Sequence, residues 1–169
     1  MHFLDAISKL PRLETLELGG NCTNDDDISH VSAAFFVNLK SLSITNCEIT
    51  DRSILALAQM KRKYVTTPRL ETLILTGTRI RGTHIGKLIK RLPNLGLIGL
   101  DRTNLNTSGA LSIAEALRNR KGKGGVSVRG LHVWMRNVKP PNSVWKPLLE
   151  FGMHNNPAQQ FLVKHDLRC

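Results

Sequence analysis

The chain has 169 residues, the size of one domain. Apolar residues make up 41% of it and charged residues 22%, which is typical of globular proteins and excludes wholesale disorder, a collagen-like chain and a disulfide scaffold. The formal net charge of +11 is unusually high and indicates acidic partners.

The sequence contains no membrane span and no secretion signal. No wholly apolar run is longer than Ile54–Ala58, whereas a spanning helix needs roughly 18 apolar residues. The first apolar stretch is interrupted by Asp5 and Lys9, unlike the core of a signal peptide. Three cysteines without a CxxC pair predict reduced thiols and a cytoplasmic chain. A mitochondrial or nuclear ribonucleoprotein is the alternative location.

The first predicted element is a helix within residues 1–12, and Pro11 leads from it into a strand pattern that occurs five times. Each copy has aliphatic residues at positions 1, 4 and 6, and the alternation from 4 to 6 is typical of a half-buried strand. We call these segments the five motif copies: 13–23 (LETLELGGNCT), 39–49 (LKSLSITNCEI), 70–80 (LETLILTGTRI), 95–105 (LGLIGLDRTNL) and 128–138 (VRGLHVWMRNV).

The segments between the copies have the spacing of amphipathic helices. Their apolar stripes are Ile28–Phe35, which follows the helix-start residues Asn24–Asp27, then Ile54–Met60, Ile85–Leu92, which ends at Pro93, and Ala110–Leu117. One strand and one helix cannot bury their apolar faces alone, so we expect neighbouring units to stack against each other.

The five copies resemble the leucine-rich repeat, LxxLxLxx(N/C)xL, over about residues 13–138. Their irregular spacing is similar to that of the helix-containing variants, such as ribonuclease inhibitor and NOD-like receptors. The resemblance implies an α/β solenoid, a horseshoe segment with parallel strands on the concave face and helices on the convex face. Residues 1–12 would be the helix of a preceding partial repeat, and residues 139–169 a C-terminal helical cap. The first and fifth copies depart from the pattern, at Thr23 and Arg136.

No enzymatic motif occurs, so we predict no catalytic residue, no cofactor and no metal. The motifs GxSxG, HExxH and GxxxxGK[ST] are missing from the sequence. Asp25, Asp26 and Asp27 lack the spacing of a calcium loop and suit the start of a helix instead. The Lys121–Gly125 segment (KGKGG) follows a predicted helix and is interpreted as a flexible turn.

Positive charge is concentrated in the middle of the chain, where residues 51–129 carry +12 while residues 1–50 carry −4. The bases cluster at the predicted ends of three successive helices, which stacking would bring side by side. We call this set the basic ridge: Lys61, Arg62, Lys63, Lys87, Lys90, Arg91, Arg118, Arg120, Lys121 and Lys123. Two interpretations stay open. The cations either compensate the helix dipoles or contact an acidic protein surface or an RNA backbone.

The second candidate surface lies on the last strand, which carries Trp134 at an outward position. Trp, Met and Arg are enriched at protein interfaces. Alternatively, residues 139–169 fold over Trp134 and bury it. The predicted partner-binding residues are Arg102, Arg129, His132, Trp134 and Met135.

We therefore predict a non-catalytic leucine-rich repeat module for protein–protein interaction. The resemblance implies the C-terminal ligand-sensing or partner-binding part of a larger protein. Its partner would be another protein with an acidic surface, and its N-terminal edge, which lacks a polar cap, would pack on a preceding domain or partner chain. The alternative is a basic RNA-associated component of a ribonucleoprotein such as a ribosome, held to RNA through the basic ridge.

Overall fold

Strands and helices alternate along the chain in a computed structural model, which describes residues 3–7, 10, 12–29, 38–59, 68–119 and 132–135. The strands are β1 (Thr15–Gly19), β2 (Ser41–Thr45), β3 (Thr72–Ile74), β4 (Leu97–Gly99) and β5 (His132–Trp134). The helices are α1 (Phe3–Ile7), α2 (Asp25–Ser29), α3 (Asp51–Gln59), α4 (Ile85–Arg91) and α5 (Thr107–Asn119). None of these helices is long and apolar enough to cross a membrane.

The five strands form one parallel sheet in the order of the sequence. Each connection between successive strands contains a helix, because parallel strands need a long crossover. Position 3 of one motif copy pairs with position 3 of the next, from Thr15 to Ser41, Thr72 and Leu97. The predicted α/β class with a parallel sheet is thus confirmed, and β1 to β4 pair in the register that the alignment of the first four copies gives them.

The hydrophobic core lies between the sheet and the helices. The aliphatic side chains of β2, β3 and β4 at positions 4 and 6 are buried there with apolar helix residues such as Ile54 and Leu88. Successive helices contact one another from α2 to α5. Leu111, predicted to belong to the buried stripe of α5, is 49% exposed, because the helix turns Ala110, Ile113 and Leu117 inward instead.

The register of the fifth motif copy differs from the prediction by two residues. His132 pairs with Leu97 and Trp134 with Gly99, so these residues occupy positions 3 and 5 rather than 5 and 7. Val133 and Met135 then occupy the inward positions 4 and 6, and both are buried. The alternation of a strand repeats every two residues, so a shift by two leaves the apolar pattern intact and the sequence pattern does not reveal it.

The loop of the first copy also differs from the alignment. Asn24 and Glu48 form an isolated parallel β-bridge. The loop from β1 to this bridge is two residues longer than the loop from β2 to it. Thr23 is consequently buried, whereas Asn21, which the alignment puts at position 9 of the first copy, is exposed with a φ of 64°. The Asn24 side chain accepts hydrogen bonds from the backbone N–H groups of Asp26 (2.8 Å) and Asp27 (3.1 Å), so it caps α2.

Aspartates at the starts of α2 and α3 each accept hydrogen bonds from the next strand–helix unit along the chain. Asp25 accepts hydrogen bonds from the backbone N–H groups of Thr50 (2.8 Å) and Ser53 (3.2 Å) and from both of their hydroxyls. Burial alone would raise the pKa of Asp25, but these four hydrogen bonds outweigh it and hold the pKa below its usual value. Asp51 likewise accepts from the Arg81 N–H (2.7 Å) and the Thr83 hydroxyl (3.0 Å).

Glycines form the next junction, between α4 and α5. Gly109 lies so close to the preceding unit that an added Cβ would stand 2.9 Å from the Cα of Gly82, which itself has a φ of +88°. A Cβ on Gly86 would stand 2.6 Å from the Oγ of Ser112, which accepts a hydrogen bond from the Gly86 N–H (3.1 Å). The backbones of these two helical units therefore touch directly.

Candidate binding surface

Among the described residues, the helices pack on one face of the sheet and leave the other face open. Positions 3, 5 and 7 of each copy lie on this face, opposite the buried positions 4 and 6. Its β1 residues are exposed and those of β2 and β3 are half-buried. We call it the open face; within the first four copies it comprises Thr15, Glu17, Gly19, Ser41, Ser43, Thr45, Thr72, Ile74, Thr76, Leu97, Gly99 and Asp101.

The open face changes in chemistry from one strand to the next. Every outward residue of β2 carries a hydroxyl group, whereas Ile74 and Leu97 are apolar. The Ile74 side chain lies against Gly99, because a Cβ added there would stand 2.9 Å from the Ile74 Cδ1. Gly99 is buried for this reason. On the other side of β4, Gly99 pairs with Trp134 of β5 in the sheet. The middle of the sheet thus presents polar donors and acceptors beside an apolar patch.

The loops at the carboxyl ends of the strands are held by position 9. The hydroxyls of Thr78 and Thr103 each donate to a backbone carbonyl three residues earlier, at 2.8 Å. Cys47 occupies the same position, and its thiol lies 3.4 Å from the Thr45 carbonyl oxygen. Burial raises the pKa of the Cys47 thiol, and the neighbouring Cys22 raises it further. Cys47 is therefore a structural residue, buried and in contact with the backbone of its own loop.

Position 8 of these loops adopts the left-handed backbone conformation. It is occupied by Asn46 (φ 52°), Gly77 (φ 68°) and Arg102 (φ 54°) in successive copies. Asn and Gly tolerate this conformation, whereas a longer side chain pays roughly 1–2 kcal/mol of backbone strain. Arg102 is nevertheless found there, with its side chain exposed. Asn46 and Gly77 at position 8 of the preceding copies are the sequence signal that Arg102 adopts this conformation.

The structure places the five predicted partner-binding residues differently from one another. Arg102 lies in the loop after β4, and β5, which contains His132 and Trp134, is the next strand of the sheet. Arg129 lies outside the described residues. The prediction that Met135 contacts a partner is wrong, because its side chain is only 1% exposed and belongs to the core. The shifted register of the fifth copy is the reason.

Only part of the basic ridge falls within the described residues. Lys87 and Lys90 are exposed on α4, Arg91 is half-buried at its end, and Arg118 belongs to the last turn of α5. Lys90 lies 3.7 Å from Glu115 of α5. The remaining members lie outside the described residues, and the ridge as a continuous surface stays a prediction: Lys61, Arg62, Lys63, Arg120, Lys121 and Lys123.

Other cations in the described residues form ion pairs between neighbouring units. Arg79 lies 2.8 Å from Glu48, and Arg52 lies 3.1 Å from Asp26. These side chains are well exposed, so each pair contributes little to stability. The pairs do neutralise part of the positive charge that the sequence assigns to residues 51–129. Sequence reasoning missed them because the partners are about 30 residues apart.

Within the described ranges, no group of three or more His, Cys, Asp or Glu side chains is arranged to hold a metal ion. No protein-family model matches the chain, and no curated protein matches it. The candidate surface is therefore defined by its own geometry, as an open sheet face bordered by loops with an exposed arginine in a strained conformation.

Proposed function

We propose that the chain is a helix-containing leucine-rich repeat solenoid that acts as a non-catalytic protein-binding module. In this proposal the five motif copies are its repeats, and residues 139–169 form its C-terminal cap. The partner lies on the open face and contacts Arg102 at its rim. The activity is cytoplasmic, consistent with the free thiols of Cys22 and Cys47.

The observation that carries this proposal is the open face itself. Parallel sheets usually have both faces covered, because their strands are hydrophobic on both sides. Here the outward positions of β2 are hydroxyl residues, so that strand tolerates water on one face. A surface built from rigid strands keeps its shape when a partner binds, which lowers the entropic cost of association.

Arg102 supports the same location. A strained residue persists only where something compensates its cost, and strained backbone clusters at functional sites. The guanidinium group offers five hydrogen-bond donors in a planar fork that matches carboxylates. An exposed arginine at this rim suits the acidic protein surface that the overall charge indicates.

A substitution at Arg102 tests this proposal, because its effects on stability and on partner binding should be opposite. The variant Arg102→Asn places at position 8 the residue that Asn46 already provides in the second copy. We expect it to raise the free energy of unfolding by about 1 kcal/mol, because the strain is relieved. The same variant should lose contact with the partner. Stability is measured by urea unfolding, and contact by photo-crosslinking in cells from a benzophenone residue at Ser43.

A matched probe at Leu111, exposed on the helical side, is the control. We expect a discrete crosslinked protein from the Ser43 probe, a weaker one when Arg102→Asn is added, and none from the Leu111 probe. Equal crosslinking from both probes would contradict the proposal. Crosslinks to RNA alone would instead support the alternative of an RNA-associated component.

A further inference from the structure

The first two cysteines of the chain lie in adjacent loops, at the carboxyl ends of β1 and β2. The Asn21 N–H donates a hydrogen bond to the Asn46 carbonyl at 2.9 Å, and Cys22 and Cys47 are the residues that directly follow this pair. Hydrogen-bonded strands lie about 4.8 Å apart, which falls within the Cα separation of about 4.4–6.8 Å that a disulfide spans. The backbone therefore brings the two cysteines to a distance that suits a covalent link.

The Cys47 side chain reaches into the loop of the first copy. Its sulfur lies 4.0 Å from the Leu18 carbonyl oxygen of β1. The backbone N–H groups of Asn21 and Thr23 donate hydrogen bonds to this sulfur, and these two residues flank Cys22 in the sequence. The Cys22 side chain also forms a hydrogen bond with the Cys47 thiol. The two sulfurs are thus neighbours in the folded chain.

The longer loop of the first copy explains this contact. The loop from β1 to the Asn24–Glu48 bridge has two more residues than the loop from β2 to it, so the extra residues fold over Cys47. Thr23 is buried there, and Cys22 remains exposed, whereas Cys47 is only 3% exposed. One sulfur of the pair is therefore open to a dissolved oxidant, and the other is screened from it.

Position 9 of the motif does not require a sulfur atom. Thr78 and Thr103 occupy it in the next two copies, where their hydroxyls donate to backbone carbonyls at 2.8 Å. The Cys47 thiol makes weaker contacts with carbonyl oxygens, at 3.4 Å and 4.0 Å. A threonine thus fulfils the structural role at least as well, and what the sulfur of Cys47 adds is reactivity toward the sulfur of Cys22.

We propose that Cys22 and Cys47 form a reversible, peroxide-sensitive disulfide, which locks the loop after β1 to the loop after β2. The two thiols are free in the reduced chain. Disulfides that form in a reducing compartment are usually transient and redox-sensing, and a contact pair with one exposed sulfur suits that role. The proposal concerns these two loops and does not depend on a partner at the open face.

Hydrogen peroxide supplies the oxidising equivalents in two steps. The Cys22 thiolate attacks one peroxide oxygen, so that a sulfur–oxygen bond forms, the oxygen–oxygen bond breaks, and the leaving hydroxide takes up the thiol proton as water. The sulfur of Cys47 then loses its proton and attacks the Cys22 sulfenic acid. The disulfide forms, the sulfur–oxygen bond breaks and a second water leaves. In total, two thiols lose two hydrogen atoms and one peroxide becomes two waters.

The surroundings of Cys47 favour this order of events. Burial raises the pKa of the Cys47 thiol and the charge of Cys22 raises it further, so Cys47 stays protonated before Cys22 reacts. Oxidation of Cys22 to an uncharged sulfenic acid removes that charge. The N–H groups of Asn21 and Thr23, which lower the pKa of Cys47, remain in place. The first oxidation therefore activates the second sulfur.

Peptide mapping of the full chain tests the proposal. The folded chain is treated with equimolar hydrogen peroxide, its free thiols are blocked with N-ethylmaleimide, and trypsin then separates the two cysteines into peptides 13–40 and 41–52. We expect mass spectrometry to find these peptides joined, and dithiothreitol to release them. The variant Cys169→Ser should give the same link. Unjoined peptides, or links to Cys169 alone, would overturn the proposal.

The variant Cys47→Thr, made in the Cys169→Ser chain, removes the second sulfur and supplies the side chain that Thr78 and Thr103 provide at the same position. The sulfenic acid of Cys22 should then persist after peroxide treatment. We expect dimedone to label Cys22 at least about tenfold more than in the Cys169→Ser parent. Equal labelling of the two chains would contradict the proposal, because Cys47 would then not be intercepting the sulfenic acid.

A matched control moves the exposed sulfur by one residue. Asn21→Cys combined with Cys22→Ser keeps an exposed cysteine in the same loop, and it should form the link with Cys47 at least about tenfold more slowly, since disulfide geometry is specific. The oxidised native pair should leave the circular dichroism unchanged and raise the unfolding temperature by about 5 °C or more. An equal rate in the control, or loss of the folded signal on oxidation, would overturn the proposal.

Discussion

Two junctions between successive helices, α2–α3 and α4–α5, are held together by different kinds of contact. Between α2 and α3, Asp25 reaches across and accepts hydrogen bonds from the neighbouring unit. Between α4 and α5, the polar bridge is largely replaced by backbone contact at Gly82, Gly86 and Gly109. The first junction depends on charge and hydrogen bonds, and the second on the absence of side chains.

The difference predicts how each junction tolerates change. A hydrogen-bonded junction lets the two units stay apart and adjust, so losing its acceptor costs the bonds and leaves their donors unsatisfied, but moves no backbone segment. A junction without side chains has no space to adjust, so any added atom must move a backbone segment. The hydrogen-bonded junction should therefore be most sensitive to the loss of a polar side chain. The glycine junction should be most sensitive to an added side-chain atom.

The largest effect is expected from Gly109→Ala at the glycine junction. An added Cβ would stand 2.9 Å from the Gly82 Cα and as close to the Leu105 side chain. We expect a loss of about 3 kcal/mol in the free energy of unfolding, despite the better helix propensity of Ala. Urea unfolding measures it. The control Gly20→Ala meets nothing within 4 Å and should cost only about 1 kcal/mol of backbone strain.

The next largest effect is expected from Asp25→Ala at the hydrogen-bonded junction. The change leaves the N–H and hydroxyl donors of Thr50 and Ser53 without their acceptor. We expect a loss of about 2 kcal/mol, since the site is partly open to water. A double-mutant cycle with Ser53→Ala should show coupling of about 1 kcal/mol. Additive losses would mean that the two residues do not interact.

A smaller effect is expected from Ser112→Ala, which removes a side-chain hydrogen bond across the glycine junction. The Ser112 hydroxyl accepts from the Gly86 N–H at 3.1 Å. Its loss should cost about 1 kcal/mol. Gly86→Ala should be nearly as damaging in the Ser112→Ala background as alone, because an added Cβ would also meet the backbone carbonyl oxygen of Ser112, which thermal unfolding of the four variants would reveal.

The smallest effect is the pH dependence of the hydrogen-bonded junction. The pKa of Asp25 is lowered in the folded chain, so its contribution to stability is complete above the unfolded pKa of about 3.9. It is lost as the pH falls from there through the folded pKa. Asp25→Asn should flatten the stability curve in this acidic window. An unchanged slope would show that other carboxylates control acid unfolding.

The sequence predicts the sheet well and its junctions poorly. Alternating aliphatic residues defined the first four copies, because burial of positions 4 and 6 enforces that pattern. The register of the fifth copy could not be predicted in this way, because moving Met135 from position 8 to position 6 preserves the alternation of inward and outward residues. Asp25 was interpreted as a helix-start acid, and its bonds to Thr50 depend on how two units approach, which local sequence does not encode.

The candidate surface was predicted only in part. The outward positions of the strands followed from the motif, and Arg102 was included for its residue type. The left-handed backbone of Arg102 was missed, although Asn46 and Gly77 at the same position indicate it. The exposure of Leu111 was also missed, because the apolar stripe of α5 did not show which side chains the helix turns inward.

The central claim is that the face bearing Ser43 and Leu97 is open in the intact chain and available to a partner. Maleimide labelling of Ser43→Cys and Leu97→Cys, with Cys22 and Cys169 changed to Ser, tests it most directly. Because both positions are half-buried, we expect the two thiols to react more slowly than an exposed reference at Leu111→Cys, but far faster than Cys47, which is 3% exposed. Protection of both thiols to the level of Cys47 would show that the chain covers this face itself and would contradict the account.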